Sequence, residues 1–147
     1  ALEALRNASK AMSVILRSIP ESKGGFRYAE GKWSIKESLI HIMDVERVMA
    51  YRAMRFARND KTDLPGFDEN AYAPESNAEA ATVSGLAGEM ERLRLSTIDL
   101  FASFSSEMLN RDGTANKNKI SVLNLGYVIA GHDVHHQRLL TERYLKK

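Results

Sequence analysis

The chain has 147 residues, enough for one domain with a sizeable core, and its 44% hydrophobic and 27% charged residues are those of an ordinary soluble globular protein. A net charge of only +2, with lysines and arginines scattered among acids, excludes nucleic acid as the partner, and the absence of cysteine excludes disulfides and thiolate ligands. No apolar run approaches the ~18 residues of a membrane span. The first residues also lack the basic-then-apolar pattern of a signal peptide, so a cytoplasmic location without membrane contact is expected.

Leu2, Leu5, Met12, Ile15, Leu16 and Ile19 mark a helical stripe that predicts a first helix from Leu2 to Ser18, ended by Pro20. Residues 20–32 read as a loop, broken by Gly24-Gly25 and Gly31. Phe26, Tyr28 and Trp33 are placed as aromatics that close the end of the fold, with a wall of a substrate pocket as the alternative. Ser34-Ile35-Lys36-Glu37 is a capping box opening a second helix to about Arg58, with its stripe on Ile35, Leu39, Ile42, Met49, Ala53 and Phe56. His41 lies on the flank of that stripe with Val45 and Val48.

Asn59-Asp60, Pro65-Gly66 and Pro74 make residues 59–76 a long connection, able to cross the end of a bundle or act as a lid. A third helix is expected from Ala78 to Ser105, with a near-heptad stripe on Val83, Leu86, Met90, Leu93, Thr97, Leu100, Phe101 and Phe104. Residues 110–120 read as a polar loop with a turn at Asp112-Gly113. Ser121 then caps a last helix to about Lys146. Four long one-faced helices predict an all-α four-helix bundle spanning 1–147 as a single domain, with long crossover connections.

In the last helix, Leu125, Ile129, His132, His136, Leu139 and Leu140 form one stripe, so two histidines stand on the face meant for the core. At i and i+4 their Cβ atoms are about 6 Å apart, a good span for sharing one ion. Buried imidazoles without partners are costly. If the second helix neighbours the last, His41 supplies a third nitrogen, and three neutral imidazoles leave a position open, as in catalytic zinc sites. Asp44 and Asp133 are the candidates to orient a ligand histidine or to act as a base, with Glu37 behind them. The competing readings are a bundle whose ion is structural or absent, and histidines that only pack. His135 falls at the edge of the face, and Arg47 and Arg138 are assigned to solvated helix surface.

The stretch Gly31-Lys32-Trp33-Ser34-Ile35-Lys36-Glu37-Ser38-Leu39-Ile40-His41-Ile42-Met43-Asp44 resembles the first motif of the DinB-like (YfiT-like) superfamily. Gly131-His132-Asp133-Val134-His135-His136 resembles its last motif, and order, spacing and helix count agree along essentially the whole chain. The resemblance implies a four-helix bundle with one divalent ion, zinc or nickel, on His41, His132 and His136 and completed by waters. It implies a homodimer, as in many members, and a small-molecule substrate. Some relatives use low-molecular-weight thiols, as S-transferases or thiol-dependent isomerases, and others are called metal-dependent hydrolases; no residue here selects between them.

Overall fold

The computed structural model describes residues 1–145. Four long helices make the body: α1 (Leu2–Arg17), α2 (Ile35–Ala57), α4 (Val83–Ala102) and α6 (Val122–Leu139), with short helices α3 (Glu69–Tyr72) and α5 (Ser106–Leu109) in the connections. Helix α1 packs on α4 and α6, and α2 packs on the same two, so the ring runs α1–α4–α2–α6. Successive long helices α1 and α2 are therefore diagonal, as are α4 and α6, which is why both connections cross the bundle. None of the described helices is long and apolar enough to cross a membrane.

The caps explain where the helices start. Ser34 Oγ accepts from the Glu37 N–H while the Glu37 carboxylate accepts from the Ser34 N–H, the expected reciprocal box. Ser121 likewise accepts from the Asn124 N–H. The α1–α2 loop supplies a further cap: Glu21 accepts from the Val83 and Ser84 N–H groups at the start of α4. These two bonds, more than the small burial that opposes them, lower the Glu21 pKa. Helix α4 starts later than the expected Ala78, because Thr82 takes the cap position and accepts from the Gly85 N–H. Residues 78–80 form only a 3-10 turn.

The connection at 110–120 is not a polar loop. It is an antiparallel hairpin, β1 (Asp112–Ala115) and β2 (Asn118–Ser121). Its turn lies at Asn116 and Lys117, both with positive φ (50° and 66°), which suits the twist of a two-residue hairpin. The expected turn residue Gly113 is instead inside β1, where a Cβ would collide with the Phe56 ring. Leu64 adds to the hairpin edge through Leu64 N–H to Thr114 O and Asn116 N–H to Leu64 O, both 2.9 Å, and so anchors the 58–82 connection. Past Leu139, α6 continues as one π-helical turn, Leu140–Tyr144. The expected end at Lys146 lies outside the described residues.

The apolar core has two halves. One gathers Leu5, Ala53, Phe56, Phe101, Val122, Leu125 and Ile129. The other gathers Met12, Leu16, Ile35, Leu39, Met43, Val83, Leu86 and Leu140. Between them along α2, α4 and α6 lie the buried charges Glu46, Arg94 and Asp133.

Candidate metal centre

The capping box fixes the start of α2, and His41 follows nearly two turns later, facing α6. His132 and His136 stand one turn apart on α6. One nitrogen from each of the three rings lies within 4.8 Å of the others. The ring centroids are 4.9 Å (His41–His132), 5.0 Å (His41–His136) and 4.5 Å (His132–His136) apart. The condition set by the sequence, that the second helix neighbour the last, is met.

The donors fit a divalent ion. His41 Nε2 and His132 Nε2 are 3.1 Å apart. With metal–nitrogen bonds of about 2.0–2.1 Å, two nitrogens on one ion stand about 2.9 Å apart at a right angle and about 3.4 Å at a tetrahedral one. The observed spacing falls inside that interval. Burial first, and the neighbouring imidazoles second, push His132 down to about 4 and His136 down to about 3. Burial also lowers His41, with Glu69 opposing it. All three rings are therefore neutral at pH 7, with lone pairs available. Their only hydrogen bond among the described residues is the one between His41 and His132.

A cleft of about 270 Å³ reaches the cluster through His136 and is walled by Trp33, Tyr28, Lys32, Asn70 and Tyr144. The Trp33 ring lies 4.5 Å from that of His41, so this aromatic lines the site. Tyr28 and Phe26 do close the bundle end, packing edge-on against Tyr144 at 4.9 Å and 6.3 Å. Tyr144 in turn donates to the Trp33 carbonyl at 2.7 Å and meets Ser38 Oγ at 3.3 Å.

The carboxylates predicted beside the histidines divide. Asp44 is half-buried and lines one crevice with His41, Glu69 and Tyr72. Burial raises its pKa, with Arg47 opposing and Glu89 adding. Asp133 is engaged elsewhere: its oxygens accept from Arg94 Nη2 (2.9 Å) and Gln137 Nε2 (2.8 Å). Glu37 is held by Ser34 and Arg27 in the cap. His135 is exposed on the outer face, its ring 5.2 Å from that of His136. Arg47 pairs with Glu89 on the surface, and Arg138 is exposed, both as expected.

Two residues near the site escape sequence reasoning. Glu69, brought over His41 by the 58–82 connection, is close enough to raise that ring's proton affinity. Arg94 is the centre of the buried charges; burial works to discharge it, but Glu46 and Asp133 hold its pKa above the ordinary value. The signal for Arg94 and Glu46 is spacing: each fills a core position in its helix stripe, Glu46 four residues after Ile42 and Arg94 four after Met90.

Comparison with known proteins agrees with the fold. A protein of Oceanobacillus iheyensis named as a putative metal-dependent hydrolase is 26% identical over 140 residues, covering 92% of this chain and 78% of that one. YfiT from Bacillus subtilis, described as a probable metal-dependent hydrolase with an unusual four-helix bundle topology, shares the fold with a TM-score of 0.83 at 18% identity, over 96% of this chain and 82% of its own. A mycothiol-dependent maleylpyruvate isomerase shares it with a TM-score of 0.77 at 12% identity, over 92% of this chain and 57% of its own. The family model of the DinB superfamily matches residues 4–140, both histidine motifs included, and the chain belongs to that superfamily.

Proposed function

We propose that the protein is a divalent-metal-dependent enzyme, a hydrolase of a small electrophile, with His41, His132 and His136 as the ligands of one ion, zinc or nickel. The observation that carries this reading is the convergence of three neutral imidazoles beside an open cleft. The ion would supply Lewis acidity toward the electrophile and activate a nucleophile beside it. Trp33 and Tyr28 offer flat apolar walls to the substrate, and Lys32 and Asn70 offer donors at the cleft rim. Asp44 is the proton acceptor: burial brings its carboxyl nearer neutral pH, and it shares the crevice of His41. Asp133 acts on the ligand helix from behind, through Arg94, and not as a base.

A thiol-dependent transferase is the second reading, favoured by the likeness of fold to the mycothiol-dependent isomerase. In that case a low-molecular-weight thiol would bind beside His41, His132 and His136 in the cleft walled by Trp33 and Tyr28. A homodimer is supported by the shallow groove between α1 and α6, where Ala4, Ala11, Tyr127 and Val134 leave apolar surface. A cytoplasmic location is supported by the cysteine-free sequence.

Cobalt substitution tests the reading. Hydroxamate added to the cobalt protein should shift its visible spectrum, and ester and amide panels should then show turnover that the His132→Ala variant lacks. A spectrum indifferent to hydroxamate and to thiols would contradict an open site. Turnover only when a thiol is supplied would move the assignment to the transferase.

A further inference from the structure

We infer that Arg94 is a positioning residue for the metal centre: it clasps Glu46 of α2 and Asp133 of α6, and so sets the register between the two helices that carry the ligands. This rests on the metal-binding reading above and concerns residues that touch none of the three rings by hydrogen bond.

Arg94 comes from α4, which carries no ligand. Its Nε and Nη2 donate to Glu46 Oε2 and Oε1 at 3.0 Å each, a two-pronged pair whose planar geometry tolerates little sliding. Nη2 also donates to Asp133 Oδ2 at 2.9 Å, and Nη1 donates to the Leu5 carbonyl of α1 at 2.9 Å. Thr97 Oγ1 donates to Glu46 Oε2 at 2.7 Å. Gln137 Nε2 donates to Asp133 Oδ1 and to the Ala8 carbonyl of α1. One guanidinium thus joins all four long helices.

The placement along the helices gives the clasp its consequence. Asp133 directly follows His132 and precedes His136 by one turn. Glu46 lies five residues beyond His41, about 7.5 Å along the α2 axis. The charges also lie between the two apolar halves of the core. Apolar contacts within each half resist sliding through close packing, which is not directional. A buried ion pair adds a directional constraint, since a slipped register leaves charges unpaired in a dry interior; fixing register is a known use of such groups. A slip of about 1 Å along the line between the two nitrogens takes the His41–His132 spacing of 3.1 Å outside the interval of about 2.9–3.4 Å that a shared ion allows.

The test measures zinc affinity, by competition with a chromophoric chelator, and the visible spectrum of the cobalt form. Wild type is compared with Glu46→Asp, Arg94→Lys and Phe56→Leu. Glu46→Asp keeps the charge but shortens the arm, and Arg94→Lys replaces the fork with a point charge. Phe56→Leu is a core truncation near the end of α2, about 22 Å along the axis beyond His41. Zinc affinity should fall at least tenfold, with an altered cobalt spectrum, in Glu46→Asp and Arg94→Lys. It should change less than twofold in Phe56→Leu at a comparable loss of Tm. Should the first two fail to fold, Thr97→Val, which removes one hydroxyl from Glu46, carries the test with an expected loss of about threefold. Unchanged affinity and spectrum in the clasp variants would overturn the inference, as would an equal loss in Phe56→Leu. Wild type that binds no zinc would instead remove the metal reading itself.

Discussion

Helix α6 carries two polar clusters within one turn, and they are satisfied in opposite ways. Asp133 meets a guanidinium and an amide, and every charge in its cluster is paired within the protein. Among the described residues, the His132 and His136 rings have no hydrogen bond except that of His132 with His41; burial keeps both rings neutral, and a cleft lies alongside. A polar group paired inside the fold serves the fold, because its desolvation is already offset there. Polar groups gathered together and left with lone pairs are available to something else. That difference, more than the residue types, separates the structural cluster from the binding one.

The contrast can be broken most easily at its structural end. Arg94→Met strands two buried carboxylates, and urea unfolding should show a loss of about 3–5 kcal/mol. His132→Ala in the metal-free protein should cost less, about 1–3 kcal/mol as an ordinary truncation. Equal losses would mean that the histidines serve the fold to the same degree as the arginine. Metal then sharpens the comparison. Zinc at a hundred times its Kd should stabilise wild type by about 2.7 kcal/mol, removable by chelation, and should leave the His132→Ala/His136→Ala variant unmoved.

Acid should act on the histidine cluster. The folded pKa values of His132 and His136, about 4 and about 3, lie below the unfolded value near 6.5. The unfolded chain therefore binds more protons below pH 6.5, and these rings destabilise the metal-free fold as pH falls from there toward about 3. Urea midpoints of wild type should fall across that window, and those of His132→Ala/His136→Ala should fall less. The smallest effect on stability belongs to Asp44→Asn, which should leave metal content intact and stability within about 0.5 kcal/mol, while turnover drops about a hundredfold. A loss of metal in that variant would make Asp44 part of the binding set.

The bundle and the histidine cluster are legible in the sequence because both are written in helical spacing. His132 and His136 stand on an apolar stripe, and the Ser34–Glu37 box fixes where α2 begins and hence where His41 points. Asp133 misleads because a carboxylate between two ligand histidines invites an orienting role, and its real partner lies 39 residues away on α4. Arg94 and Glu46 are hard to see because charges on a helix are solvated by default. Each must be recognised as filling a gap in its own stripe, and only their pairing makes burial tolerable. The hairpin is hidden because its strands are four residues each, too short for alternation to register. Asp112-Gly113 has the residue types of a turn, whereas Asn116 and Lys117 carry the positive φ angles.

The proposed metal site is three histidines from two helices on one ion. Elemental analysis tests it most directly, on protein purified without a nickel column and on His132→Ala/His136→Ala purified alongside. About one zinc or nickel ion is expected per wild-type chain and none in the variant. No bound metal in wild type, even after zinc and nickel are offered and the excess removed, would contradict it and leave three histidines that only pack.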